Sequence, residues 1–252
     1  MGAKLKISAV SYLNTKPFLA GMEQSGFLDR VELSLDIPSV CATKLLEGSV
    51  DIGLVPVAVI PLMKEHHIIT DYCIGAVQPV RSVLLYSQVP LSQIKTILLD
   101  NQSRTSVALV KILAKELWKI DPDYTLATDG YETRIGDHTA GVVIGDRTFA
   151  LNNRFKYHYD LAEGWQTLTG LPFVFACWVS NKPVDAETEQ LFNEALSLGV
   201  RLAPGLAKTY ENKFPEGSNL KEYLTESLSY NLDALKRQGL SRFLAYLSNG
   251  AR

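Results

Sequence analysis

The chain has 252 residues and a formal net charge of -2, enough for one large domain or two small lobes. With a pI near 6.1, it lacks the basic excess of a nucleic-acid binder, so small molecules are the expected partners. No stretch is long and apolar enough to span a bilayer: the longest, Ile52 to Met63, is broken by Pro56 and Pro61. Lys4 and Lys6 precede no apolar leader, because Ser8, Ser11, Asn14 and Lys16 interrupt the run, and Lys6 stands where a myristoylation motif wants Ser or Thr. A cytoplasmic protein without a membrane partner is the expectation. Cys41, Cys73 and Cys177 are odd in number and widely spaced, so each reads as a small buried hydrophobe and not as part of a disulfide framework or a CxxC metal pair.

Lys4 to Val10 alternates as a first strand. Ser11 to Pro17 packs polar groups into a turn, with Thr15 placed to N-cap and Pro17 suited to the first turn of a helix ending near Gly21. Asn14 carries both a donor and an acceptor and falls near the carboxyl end of that strand, where open α/β sheets collect ligands; the alternative is an Asx-turn that only shapes the loop. Val31 to Ile37 reads as strand two, Pro38 to Gly48 as a helix closed by its glycine, Val50 to Val55 as strand three, and Pro56 to Met63 as a short helix. This β-α-β-α-β-α order implies parallel strands with right-handed crossovers. Ile68-Ile69, Ile74 to Val77 and Ser82 to Tyr86 are further strands, and Ser82 either faces a pocket or merely opens its strand. His66, His67, His138 and His158 have no metal-ligand spacing and read as surface or satisfied side chains.

Ser87 to Lys95 is a polar break that reads as a crossing between two lobes. Beyond it, Thr96 to Leu99 is a buried strand, Asp100 to Ser106 a polar loop, and Val107, Val110, Leu113, Ala114 and Leu117 recur at helical spacing. A strand, a polar loop and a helix start make a pocket for anions, since the first helical N–H groups lack internal partners and the helix dipole is positive there. Ser103, Thr105 and Ser106 add hydroxyls and Arg104 a charge, whereas capping alone needs one hydroxyl. Tyr124 to Ala127 is a weak strand and Ala140 to Gly145 a buried one; Asp146 after it either caps the next helix or points into the cleft. Tyr157 to Asp160 is short and mixed, and Leu171 to Val179 is an aromatic strand that returns the chain to the first lobe. The rest, from Asp185, is amphipathic helix. The expected division is residues 1–87 plus 180–252 as lobe one and 88–179 as lobe two.

GxGxxG, Walker A, GxSxG and CxxC motifs are all missing from the sequence, and nothing in it requires a metal, nucleotide or flavin cofactor. What remains is a two-lobed α/β protein whose loops offer hydroxyls, an amide, an arginine and helix N-termini to a small anionic ligand held in a cleft between lobes. Residue types alone do not separate binding from catalysis.

The blocks Ser8 to Pro17, Gly48 to Pro56, Ser82 to Ser87, Leu99 to Val107, Ile144 to Asp146 and Trp165 to Trp178, in this order and spacing, resemble the chorismate dehydratase family of the futalosine route to menaquinone. The resemblance runs from residue 4 to about 180. It implies a type II periplasmic-binding-protein-like fold and loss of water from chorismate to give 3-[(1-carboxyvinyl)oxy]benzoate, without a cofactor or metal. It also implies site roles for Asn14, as the catalytic residue, and for Ser82, Ser103, Thr105, Ser106 and Asp146; Arg104 would suit the substrate's carboxylates. Tyr12 departs from some members and is given no role. Two rivals remain. One is the sister lyase that makes 1,4-dihydroxy-6-naphthoate, whose first loop resembles Ser-Pro-x-x-Asn-Asp and which relies on a histidine. The other is a non-catalytic binding protein for a small carboxylate.

Overall fold

Two β-sheets organise the protein in a computed structural model that describes residues 4–151 and 154–249. Strand β1 (Leu5–Val10) leads through a tight turn at Leu13–Thr15 into α1 (Lys16–Gln24); β2 (Val31–Asp36) leads into α2 (Pro38–Leu46); β3 (Ile52–Pro56) leads into a 3-10 turn at Val57–Leu62. Pro17 and Pro38 sit in first helical turns, where a missing N–H goes unnoticed. Gly48, at φ 71°, closes the second helix. β1 pairs in parallel with both β2 and β3, as the alternating order requires. β4 (His67–Ala76) is one long strand where the sequence shows two apolar patches, because Thr70 to Tyr72 continue the backbone across the polar gap.

The second sheet takes β5 (Val83–Ser87), β6 (Thr96–Leu99), β7 (Asp123–Leu126), β8 (Thr139–Ile144) and β9 (Tyr157–Asp160) in the order β7-β6-β8-β5-β9; α3 (Arg104–Leu113) and α4 (Leu161–Thr169) belong to the same lobe. β10 (Phe173–Ser180) then returns and inserts antiparallel between β3 and β4. The tail forms α5 (Ala186–Tyr210), a short α6 (Leu220–Glu222) that widens into a π turn at Tyr223–Ser227, β11 (Ser229–Asn231) and α7 (Ala234–Ser248). The first sheet therefore reads β11-β4-β10-β3-β1-β2. The tail was expected to be wholly helical; β11 corrects that, pairing along the outer edge of β4.

The lobe boundaries also shift. β5 lies in the second sheet and β10 in the first, so the chain crosses between β4 and β5 and again between α4 and β10, upstream of both expected boundaries. The polar stretch Ser87 to Lys95 is instead a loop within the second lobe, with a 3-10 turn at Leu91–Gln93 and with the Lys95 N–H donating to His138 O at 2.9 Å. A composition break marks a loop; it does not say which sheet its flanking strands join.

An aromatic core holds the first lobe, with the Trp178 ring 5.9 Å from Phe18 and 4.9 Å from Phe192. Helices α1 and α5 touch backbone to backbone: a Cβ on Gly21 would stand 2.0 Å from Ala195 O, and one on Gly199 2.0 Å from Pro17 O. Both positions must therefore be glycine, and the contact fixes the start of α1 and the turn before it. All three cysteines are buried and free, and burial pushes the Cys41 thiol up to about 11, as suits small core residues.

Candidate active site

Where β1, β3 and β8 end, at Val10, Pro56 and Ile144, the two lobes enclose a cavity of about 50 Å³. Pocket formation at the carboxyl ends of parallel strands is expected of an open α/β sheet, because the loops that follow converge there. The walls are apolar, with Ile74 from β4 and Phe175 from β10 among them, and the polar groups facing in are Tyr12, Asn14, Ser82, Ser103 and Ser106. Among the described residues no charged side chain lines it. At this size it holds a few waters, and a ring-sized ligand requires the lobes to part.

Four of the polar residues singled out in the sequence thus meet in one place. Asn14 arrives on the tight turn after β1, and its Oδ1 accepts from the Thr15 hydroxyl at 3.1 Å. Thr15 occupies the N-cap position of α1 but its side chain caps nothing; its hydroxyl orients Asn14 instead. Ser82 immediately precedes β5 and is buried. Ser103 N-caps α3: its Oγ accepts from Ser106 N–H at 3.2 Å and lies 3.0 Å from Ser106 Oγ. The capping and the ligand-facing readings of this loop both describe it, since the capping hydroxyls stand on the cavity wall.

The other three residues lie elsewhere. Thr105 is fully buried, but its hydroxyl is used up on backbone, donating to Phe175 O at 3.1 Å and accepting from Ala58 N–H at 3.2 Å. It ties α3 of one lobe to β10 and the Val57–Leu62 turn of the other, and it does not line the cavity. Arg104 is exposed and faces an outer groove with Pro61 and Leu62, because the first helical turn points it away from the junction. Asp146 neither caps its own turn nor lines the cavity; both its carboxylate oxygens accept from Leu13 N–H at 3.1 Å, across the two lobes. Burial pushes its pKa up to about 6, against the pull of the Leu13 N–H and of Lys16.

Asp146 belongs to a clasp over the cavity. The Tyr12 hydroxyl donates to Gln102 Oε1 across the cleft, and the Tyr12 ring lies on Gly145, where an added Cβ would come within 2.7 Å of it. Beneath, buried Asp100 accepts from Arg147 and from the Tyr131 hydroxyl, and Arg147 also reaches Glu132 at 3.0 Å. Burial raises the Tyr12 and Asp100 pKa values, opposed in both by Arg147. The sequence reading missed Tyr12 and Arg147, which only the meeting of the lobes brings together. It also missed Tyr223, whose hydroxyl donates to Ser82 Oγ at 2.9 Å from the tail. Helical periodicity gave Tyr223 a core position and no more.

Among the described residues no group of three or more His, Cys, Asp or Glu side chains is placed to hold a metal ion, and no helix is long and apolar enough to cross a membrane. Two sheets in two lobes, with a cavity at their junction and the chain crossing between them, define a type II periplasmic-binding-protein fold. A protein from Archaeoglobus fulgidus has the same fold, with a TM-score of 0.73 and 13% identity over 98% of this chain and 97% of its own. So does a Candida albicans protein described as defining a family with the generic periplasmic binding protein fold, with a TM-score of 0.70 and 10% identity over 100% of this chain and 92% of its own. A sequence profile of the menaquinone biosynthesis family matches residues 5–249, and the chain belongs to that family. A chorismate dehydratase of Thermus thermophilus is 26% identical to it, covering 92% of this chain and 91% of its own.

Proposed function

We propose that the protein is a chorismate dehydratase, a carbon–oxygen lyase that eliminates water from chorismate to give 3-[(1-carboxyvinyl)oxy]benzoate. The observation that carries this reading is the make-up of the cavity: apolar walls for a ring, with one amide and several hydroxyls and no charged side chain. The likeness to the Thermus enzyme adds to it.

The reaction is redox-neutral and needs no cofactor. The ring C3 proton of chorismate is acidified through the diene carboxylate, and loss of the C4 hydroxyl makes the ring aromatic. The protein's tasks are to orient the ring and to stabilise the oxygen on which charge develops. Asn14 and Ser82 supply donors for that oxygen, and the capped start of α3 at Ser103 and Ser106 suits a carboxylate. Because, among the described residues, no ionisable carboxylate, histidine or lysine lines the cavity, the substrate's own enolpyruvyl carboxylate takes the proton in this mechanism. The missing histidine also argues against the sister lyase. A cytoplasmic location, with no membrane or nucleic-acid partner, goes with this reading.

The test is to incubate purified protein, treated with a chelator, with chorismate and to follow mass. A product lighter by one water is expected. Unchanged chorismate together with cleavage of cyclic dehypoxanthinylfutalosine would give the chain to the sister lyase, and binding without turnover would make it a solute-binding protein.

A further inference from the structure

The chain crosses from the first sheet to the second between β4 and β5, and Arg81 and Ser82 are the last two residues of that crossing. Arg81 has a φ of 62°, a left-handed backbone that an arginine keeps only where its surroundings hold it. The other two described non-glycine residues with positive φ serve local turns: Lys119 closes the turn Ala114–Trp118, and Asp137 lies in the tight turn from Gly136 to Thr139. Arg81 closes no helix, and it and its neighbour are tied four times. The Arg81 N–H donates to Asp160 Oδ2 at 2.7 Å, and the Arg81 guanidinium pairs with Glu222 of the tail. Ser82 O accepts from Gly145 N–H at 2.8 Å, and Ser82 Oγ from the Tyr223 hydroxyl at 2.9 Å. We propose that Asp160 is a positioning residue of the active site, holding Arg81 in the left-handed turn that aims the Ser82 hydroxyl into the cavity. The proposal rests on the reading of this cavity as the substrate site.

Asp160 is buried, and its two oxygens have separate tasks. Oδ1 caps α4, accepting from Ala162 N–H at 2.9 Å and from Glu163 N–H at 3.2 Å, while Oδ2 takes the Arg81 N–H. A helix cap needs one oxygen, which a serine would supply. The second oxygen is what the crossing uses. A short bond from a backbone N–H to a buried carboxylate is a firm restraint. The Arg81–Glu222 pair is largely in solvent on its arginine side and holds weakly. Ser82 stands one residue outside the β5–β8 pairing, which begins at Val83, so Arg81 sets its direction. Having accepted from Tyr223, Ser82 keeps its own proton for the cavity. The ligand atom it meets is an oxygen acceptor, either a carboxylate or a departing hydroxyl.

Asp160→Ser keeps the cap and removes the oxygen that holds Arg81. With chorismate as substrate, kcat should fall by about 10- to 100-fold while KM stays within about threefold, because a donor loses its aim. Adding Arg81→Gly should recover at least about fivefold of that loss, since glycine takes a left-handed backbone without being held. As single changes, Arg81→Val should leave kcat about tenfold or more below that of Arg81→Gly. Both lack the guanidinium, and only glycine fits the left-handed turn freely. This pair decides the matter if Asp160→Ser does not fold. A further arm needs no substrate. The Gly145 amide, bonded to Ser82 O, should exchange with solvent about tenfold faster or more in Asp160→Ser than in wild type, followed by NMR, and slow again in the double variant. The β6–β8 amides of the same lobe should keep their rates. No recovery in the double variant, equal kcat in Arg81→Gly and Arg81→Val, or β6–β8 amides that speed up as much as Gly145 would each overturn the proposal. If the wild type leaves chorismate unchanged, the functional reading fails, and the exchange rates still decide whether Asp160 positions Ser82.

Discussion

Of the segments that bring polar side chains to the cavity, two follow the plan of strand, polar turn and helix: one after β1 in the first lobe and one after β6 in the second. In the loop after β6, Ser103 serves the helix by capping it, Thr105 serves the backbone of the facing lobe, and Arg104 faces out. In the loop after β1 the Leu13 N–H that opens the tight turn is met by Asp146 of the other lobe, Pro17 starts the helix, and the Thr15 hydroxyl is free to orient Asn14. A hydroxyl near a helix start is available to a ligand only after the backbone around it is satisfied. The β1 loop meets that condition with a carboxylate borrowed from the facing lobe, and the β6 loop meets it by using its own side chains. On the proposed reading, the first loop is therefore the seat for chemistry and the second for holding.

The largest effect should come from the first loop. Asn14→Ala should lower kcat by roughly 100-fold or more, the scale of losing one oriented donor, with the fold intact by circular dichroism; near-normal turnover would return Asn14 to a purely structural turn. Next, Thr105→Val should cost about 1–3 kcal/mol of stability by leaving Ala58 N–H and Phe175 O without their partner, read as a lower denaturant midpoint. KM should hold, so a raised KM at unchanged stability would put Thr105 back among the ligand-binding groups.

Asp146→Asn should give a smaller, pH-dependent change. The folded carboxyl titrates near 6, above the unfolded value of about 3.9. The folded state thus holds the proton more tightly, and this group's stabilising contribution is complete below the unfolded value and lost as pH rises through the folded one. Asparagine still accepts from Leu13 N–H without the buried charge, so the variant should melt higher than wild type at pH 7.5 and at the same temperature near pH 3.5. A variant that melts lower at pH 7.5 would show that the clasp needs the charge. The smallest effect belongs to Arg104→Ala, which should leave kcat/KM within about twofold, as an exposed side chain away from the cavity allows.

Much of this architecture was legible in the sequence because it is local. Alternating and apolar runs marked most of the strands, Pro17, Pro38 and Gly48 marked helix ends, strand-then-polar-loop units marked Asn14, Ser103 and Ser106, and the opening of a strand marked Ser82. What was not legible depends on partners distant in sequence. Nothing near Asp146 announces that Leu13 will use both its oxygens, and nothing near Tyr223 announces Ser82. The three residues of β11 are too few to show a period, and the lobe membership of β5 and β10 is decided by pairing, which composition does not record.

The insertion of β10 between β3 and β4 sets an order of events while the chain is being made. The strands of the second lobe, β5 to β9, are consecutive, so that lobe has all its sheet partners once Asp160 has left the ribosome. The first lobe has β1 to β4 early but must wait for Ser180, and its Gly21 contact waits for Gly199. At typical rates of synthesis that delay is on the order of ten seconds. During it β3 and β4 lack the strand that separates them, and their apolar edges are open to wrong pairing. A nascent chain stalled with Asp160 outside the ribosome and Ser180 still within it should accordingly protect the second lobe from protease and leave the Asn14 loop cleavable, so the Asn14 turn would be among the first segments made and among the last set in place.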